Sequence, residues 1–412
     1  MIGLSGNQFN RANVQQDRRP DEARRSVKWE EVILDAAETD TGVRRANNQD
    51  SFAVVRATNP EAWRKHGHVF LVADGMGAHA VGELASKMAC DHIPHTYKRL
   101  AKDSPEEALI RAYRDVAQQI YTKSKANRDF EGMGTTCSAL VLGPEGALIA
   151  HVGDSRIYRT RSDVIDQLTF DHSLVWELRR KSGLPLDDDA NDVNARKNVI
   201  TRSLGPDPEV TVDIEGPLAV KTGDVFLLCT DGLSGQVRDP ELGLFCGHLP
   251  PEEATRALLQ LANLRGGPDN ITVIVVRVGP WVDPDASHDN QPVAAAPAAG
   301  RKFSLGGLLG SLRKPAEPPV EEEEPYRSFE CPLTAEAVEK YAEFVARVEQ
   351  LAHEHTWPAD FTQLDKLRAR WLDALSHQRL HTALRAIGEA IVLLGLAKRV
   401  FFKNRAAAAS SG

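Results

Sequence analysis

The stretch Val69-Phe70-Leu71-Val72-Ala73-Asp74-Gly75-Met76-Gly77 is a β-forming apolar run that ends abruptly in Asp-Gly. Such an ending puts a carboxylate and a flexible backbone carbonyl at one edge of a sheet. A single Asp-Gly is most often only a turn. Here the device recurs. Residues 147–152 run through Gly153 into Asp154-Ser155-Arg156, and residues 224–230 run into Asp231-Gly232. Gly266-Gly267-Pro268-Asp269-Asn270 stands directly before the apolar run 271–278. Four aspartates at strand edges are expected to form one carboxylate cluster.

Working outward, strands are expected at 29–34 and 51–56, around the turn that holds Arg45 and Asp50. Helices are expected at 82–97, 105–125 and 251–264. The second starts on Pro105, as proline prefers the first turn, and Ala108, Leu109, Ala112, Tyr113, Val116 and Ile120 follow the 3.6-residue period. Short consecutive strands at 134–142, 147–152 and 156–160 suggest antiparallel meanders. Residues 173–197 read as an exposed insertion. Its acid run Asp187-Asp188-Asp189 is either a solvated face or part of a flap that touches substrate.

Residues 1–26 are polar and read as a disordered arm, whereas 281–326 is a Pro/Ala/Glu-rich linker. Within that linker, 301–314 has basic ends around an apolar centre, and membrane contact there is the minor reading. Residues 327–405 read as a separate small all-α bundle of three amphipathic helices, for regulation or docking, with Asp360 capping the second. Lys398, Arg399, Lys403 and Arg405 would suit the end of the third. His353, His355, His377 and His381 lack the spacing of a metal site.

At 412 residues the chain has room for two or more domains. The five cysteines are scattered, which argues against a disulfide scaffold or a thiolate zinc site. No apolar leader and no continuous apolar run of spanning length stands out, so a cytoplasmic protein is expected. The net charge of −8 falls on the central region, which makes nucleic acid an unsuitable partner.

Oxygen-only ligands select Mg²⁺ or Mn²⁺ over zinc. An aspartate that bridges two such ions holds them about 3.5–4 Å apart and acidifies a water between them for in-line attack on phosphorus. A phosphate ester also needs a cation for its non-bridging oxygens, and the planar fork of arginine matches it. Arg45, close before Asp50, is placed for that. The residues by themselves therefore point to a two-metal phosphohydrolase.

Six motifs stand in one order: Arg45-Ala46-Asn47-Asn48-Gln49-Asp50, Asp74-Gly75-Met76-Gly77, Gly132-Met133-Gly134-Thr135-Thr136, Gly153-Asp154-Ser155-Arg156, Cys229-Thr230-Asp231-Gly232-Leu233 and Gly266-Gly267-Pro268-Asp269-Asn270. Together they resemble the bacterial branch of the metal-dependent serine/threonine protein phosphatases of type 2C, over residues 27–280. The resemblance implies an α+β fold, a four-layer α/β/β/α sandwich of two antiparallel sheets, with 173–197 as the family's variable flap. It implies that Asp74 bridges two catalytic Mn²⁺ or Mg²⁺ ions, that the Gly75 carbonyl ligates one, and that Asp231 and Asp269 hold the other. Asp154 with Asp231 would form a third, weaker site. Arg45 would bind substrate phosphate, and Asp50 would orient the attacking water. Gln49 stands where some members have Glu, and Met76 stands where many eukaryotic members have a proposed histidine acid.

The implied function is hydrolysis of phosphoserine and phosphothreonine in proteins by a monomer opposing a bacterial Ser/Thr kinase. One alternative is a catalytically weak binding module whose helical region carries the function. The intact aspartate set weighs against it. Another is a small-molecule phosphohydrolase.

Overall fold

The computed structural model describes residues 33–77, 81–100, 103–186, 199–285 and 324–410. The expected arm 1–26, the segment 301–314 and the acid run 187–189 lie outside the described residues.

The first sheet has the strand order β1 (Ile33–Asp40), β11 (Ile271–Val278), β10 (Val225–Cys229), β7 (Arg156–Arg161), β8 (Val164–Gln167) and β12 (Arg327–Glu330). The second runs β2 (Asp50–Val55), β3 (His68–Met76), β5 (Cys137–Gly143), β6 (Gly146–Val152) and β9 (Asp213–Leu218), with the short β4 (Gly134–Thr135) on the end of β3. The pairings are antiparallel.

Side chains alternate between the two faces of a strand, and this builds the layers. On β3, Phe70 and Val72 enter the layer between the sheets, beside Phe226 and Leu228 of β10 and Ile274 and Val276 of β11. Val69, Leu71 and Ala73 point the other way, under α2 (Val81–Arg99) and α3 (Pro105–Ala126). Val225, Leu227, Val273 and Val275 do the same on the other side, under α6 (Asp239–His248) and α7 (Pro251–Leu264). Each fully buried Leu, Val or Phe contributes about 1.5–3 kcal/mol. The start of α3 follows the sequence: Ser104 accepts the Glu107 N–H at 3.2 Å, Pro105 is the first helical residue, and Leu109, Tyr113, Val116 and Ile120 are fully buried. The four-layer sandwich is the expected one. Two short helices, α1 (Pro60–His66) and α4 (Leu174–Lys181), follow β2 and β8 in the chain.

The C-terminal helices sit closer to this sandwich than their sequence implies. Arg327–Glu330 does not open a helix. It is an edge strand, with Phe329 opposite Ile165 on β8. The helices α8 (Ala335–Glu354), α9 (Phe361–Ser376) and α10 (Leu380–Ser410) then share one apolar core with α6 and α7. Tyr341 meets Phe245 edge-on, ring centroids 5.0 Å apart. Gly388 lies over Ala257 and Leu249, and a side chain at Gly395 would start 2.7 Å from the Gln260 Cβ. The physical reason is α7. Its buried residues include Ala254, Ala257, Leu258, Leu259, Leu261 and Ala262 and also the polar Thr255, Gln260 and Asn263, so burial reaches beyond the apolar face that meets the sheet. An apolar arc this wide needs cover from more than the sheet alone.

Asp360 caps α9 as expected, accepting the Gln363 N–H at 2.9 Å. The third helix instead continues to Ser410, so Lys398 and Arg399 lie inside it. Its stretch Leu380–Arg405 is long and apolar enough to cross a membrane by length and composition, although no continuous apolar run marked it in the sequence. Leu384, Ile387, Ile391 and Leu394 along it are fully buried, so packing accounts for its apolarity. The four C-terminal histidines do not form one group. His353 stacks on Phe361, His377 donates to the Asp373 carbonyl, and His381 faces His248.

Candidate metal centre

The inter-sheet layer turns polar at one end. On β3 the inward series Phe70, Val72 continues to Asp74. On β2 the partly buried Val54 and Phe52 lead to Asp50, which pairs directly with Asp74 across the ladder. On β10 the inward series Phe226, Leu228 leads on to Thr230, and on β11 Val276 and Ile274 lead to Thr272. Alternation alone therefore delivers two carboxylates and two hydroxyls to one place. The Thr230 and Thr272 hydroxyls donate to Asp50 Oδ2 at 2.7 and 2.8 Å. Asp231 follows Thr230 as the first residue of α5 (Asp231–Ser234), Asp269 lies just before β11, and Asp154 lies just after β6.

Burial raises the pKa of Asp50, Asp74, Asp154 and Asp231 first, and repulsion from neighbouring carboxylates raises it further. Asp74 is pushed well up by burial, then by Asp50, Asp231, Asp154 and Asp269. Asp50 rises to about 7, mainly through burial, with the two threonines opposing. Asp154 rises to about 8, through burial and then Asp231 and Asp171, with Arg156 opposing. Asp231 is raised by burial and Asp269, and a hydrogen bond with Asp74 offsets part of this. Thus all five sequence-selected aspartates are electrostatically in one cluster.

A divalent cation fits this set. Buried oxygens without a protein partner stand on Asp50 (Oδ1), Asp154 (Oδ1) and Asp231 (Oδ1), and such groups are costly unless something binds them. Among the described residues, no three His, Cys, Asp or Glu side chains are grouped so that they could by themselves hold a metal ion. A hard cation that keeps several waters and takes backbone carbonyls does not need such a set. Gly75 is required sterically: a Cβ there would lie 2.1 Å from the Gly82 carbonyl oxygen and 2.6 Å from that of Gln49. Gly82 in turn leaves the Gly75 carbonyl clear, since a Cβ at Gly82 would start 2.7 Å from that oxygen. Gln49 contributes its own carbonyl, which accepts the Gly75 N–H at 3.1 Å and the Ser86 hydroxyl at 2.6 Å.

Arg45 stands at the mouth of the cluster, with its side chain 51% exposed and Nη2 2.7 Å from Asp269 Oδ2. Asn270 holds its loop. The Asn270 amide donates to the Thr41 and Asn47 carbonyls, both at 2.9 Å, and its oxygen accepts the Gln49 N–H at 2.8 Å. Sequence reasoning placed Asn270 in a motif but gave it no task, and it did not single out Thr272. The signal for Thr272 was the inward parity of β11.

Behind Asp154, His172 accepts the Gly153 N–H at Nδ1 (3.0 Å), so its Nε2 donates to Asp213 at 2.9 Å. Arg156 forms a buried two-pronged pair with Asp171, with contacts of 3.0 and 2.6 Å. These anchor the turn that carries Asp154.

The raised pKa values set the sign of a pH effect. Groups whose folded pKa lies above the unfolded value of about 4 bind extra protons in the folded state. Between that value and the 7 and 8 of Asp50 and Asp154, rising pH strips those protons and leaves repelling charges. Mn²⁺ relieves the repulsion and must displace protons at the acid end. The rise in melting temperature on adding Mn²⁺ to chelator-treated protein is expected to grow between about pH 5 and pH 8. A flat or shrinking Mn²⁺ effect across that window would contradict the shared cluster.

Residues 42–263 match the protein phosphatase 2C family, and the chain belongs to that family. It is 35% identical over 243 residues to the serine/threonine phosphatase stp of Listeria innocua, covering 58% of this chain and 93% of that protein. It is 34% identical over 241 residues to the protein phosphatase PhpP of Streptococcus pneumoniae, covering 58% and 94%. Among solved structures, the Mycobacterium tuberculosis serine/threonine phosphatase PstP/Ppp superposes with a TM-score of 0.51 at 32% identity, covering 60% of this chain and 99% of that one. The protein is accordingly a phosphatase of this family, with C-terminal helices beyond the matched residues.

Proposed function

We propose that the chain hydrolyses phosphoserine and phosphothreonine esters in proteins, with two Mn²⁺ or Mg²⁺ ions at the carboxylate cluster. Asp74, the Gly75 carbonyl, Asp231 and Asp269 would hold the pair, and Asp154 with Asp231 a third. When bound, the ions supply the positive charge that activates an attacking water and screens the phosphate. The observation that carries this reading is the set of orphaned buried carboxylate oxygens beside an exposed arginine at one sheet edge.

The chain's own residues divide the rest. Arg45 grips the non-bridging phosphate oxygens with guanidinium N–H groups beyond the one that meets Asp269. Asp50 orients the water through Oδ1, the oxygen that neither threonine takes. Met76 offers no proton, so the leaving oxygen takes its proton from water or from the substrate's surroundings. One relative named a serine/threonine phosphatase and another named a protein phosphatase support phosphoproteins as substrates, and a Ser/Thr kinase is the opposing activity that such substrates require. The setting proposed is the cytoplasm, with the chain acting as a monomer.

The test is Mn²⁺-dependent release of phosphate from a phosphothreonine peptide by the full chain, beside Asp231→Ala and Asp269→Ala. Activity that survives both substitutions would sink the proposal. At saturating Mn²⁺, Arg45→Ala is expected to raise KM about 10- to 100-fold, the size of a lost charge-assisted hydrogen bond, and to change kcat much less. An unchanged KM would remove Arg45 from the phosphate site.

A further inference from the structure

We propose that Lys398 and Arg399 of α10 are positioning residues for the active site: the C-terminal helix braces, from behind, the two loops that carry Arg45 and Asp269. This rests on the reading of Arg45 as the phosphate grip.

The two cations are adjacent on α10, and each holds the root of a different loop. Arg399 pairs with Asp40, the buried last residue of β1. The other oxygen of Asp40 accepts the Gly42 N–H at 2.8 Å. Asp40 is thereby pinned from both sides, and the turn that leads to Arg45 starts from it. Lys398 Nζ donates to the carbonyls of Asn263 and Leu264 at 2.9 and 3.1 Å. These are among the last carbonyls of α7, where a cation is favoured, and the chain passes directly from them into Gly266-Gly267-Pro268-Asp269.

The two braced loops also lie on each other. The Val43 N–H donates to the Gly267 carbonyl at 2.9 Å. Gly42, at φ +77°, sits so close that a Cβ would fall 2.1 Å from the Asp269 carbonyl oxygen. The pair Arg45–Asp269 closes the arrangement at 2.7 Å. A shift of α10 therefore moves the roots of both loops together, and with them the distance between the phosphate grip and a carboxylate of the metal cluster. Small displacements of such groups act strongly on rate and binding. In the sequence the same cations look like ordinary helix-end charges. Only the continuation of α10 past them turns them toward the catalytic unit.

The experiment uses the full chain at saturating Mn²⁺, with an aryl phosphate as substrate and amide hydrogen exchange as a second readout. Arg399→Gln is expected to raise KM about 5- to 20-fold while kcat stays within about twofold. Exchange at the Gly42 and Val43 amides should accelerate about tenfold, with the core strands unchanged. Arg399→Lys should recover part of both effects, and Asp40→Asn added to Arg399→Gln should add little, because both cut one ion pair. Should Arg399→Gln fail to fold, Asp40→Asn cuts the pair from the other side and takes its place. Unchanged KM and unchanged exchange at Gly42 and Val43 would overturn the brace. Faster exchange with no Mn²⁺-dependent turnover even in the unmodified chain would keep the brace and overturn the catalytic reading instead.

Discussion

Asp74→Asn is expected to lower kcat/KM for Mn²⁺-dependent hydrolysis by about 10³-fold or more. The substitution is nearly isosteric, and the backbone there is held without the carboxylate. The Asp74 main chain is held by its N–H to Thr136 Oγ1 at 2.9 Å, and by the Thr135 hydroxyl and Thr136 N–H to its carbonyl, both at 2.9 Å. What disappears is a buried charge that Asp50, Asp231, Asp154 and Asp269 repel. An amide cannot stand between two cations as a carboxylate does. The same change relieves repulsion in the metal-free protein. The melting temperature in chelator is therefore expected to rise while activity is lost, the pattern of a site that trades stability for function. Activity above about a tenth of the starting value would show that Asp74 is not the bridge. A fall in the chelator melting temperature would show that the cluster is not strained by its own charge.

Removing residues 324–412 is expected to produce a poorly soluble fragment that melts about 10 °C or more below the full chain. Phe245 and Leu249 lose the cover of Tyr341 and Gly388, and burial of each is worth about 1.5–3 kcal/mol. Asp239, almost fully buried, loses its 2.7 Å pair with Arg327, and uncovering one side of a buried ion pair costs about 3–5 kcal/mol. Arg385 no longer bridges to Glu253, where its contacts are 2.8 and 2.5 Å. These losses are large against a total stability of about 5–15 kcal/mol. A family relative matched over 93% of its length corresponds to only 58% of this chain, so the phosphatase unit can stand without such helices elsewhere. Here the outer side of α7 is apolar, and the unit needs them. A fragment that stays monomeric and melts within about 3 °C of the full chain would overturn this. Light scattering and a thermal melt give both readings.

The sequence carried much of the local structure. The bounds of α7, β10 and β11 follow directly from apolar runs and from proline at the first helical turn. It also pointed to Asp74, Asp154, Asp231 and Asp269, because an Asp that ends an apolar strand is a local pattern, and to Asp50 and Arg45 through their motif. The strands β8, β9 and β12 and the helix α6 were not legible. Arg327–Glu330 is too short and too polar to announce itself and becomes a strand only because β8 offers a free edge. α6 holds Pro240 and two glycines, and its pattern has almost no apolar face to read, since it is buried nearly all round.

By itself, the sequence determined which residues are carboxylates at strand ends and which strand positions face inward. Both follow from two-residue periodicity and turn chemistry, which act within a few residues. The tertiary structure alone decided that Asp50 lies opposite Asp74, that Thr230 and Thr272 share one Asp50 oxygen, that Asn270 ties down the Arg45 loop, and that Lys398 and Arg399 reach the roots of the Asp269 and Arg45 loops respectively. Those contacts join residues from 24 to 359 positions apart, and no local propensity encodes them. They arise when two sheets and a buried helix close over one another, because only that packing removes the apolar faces from water.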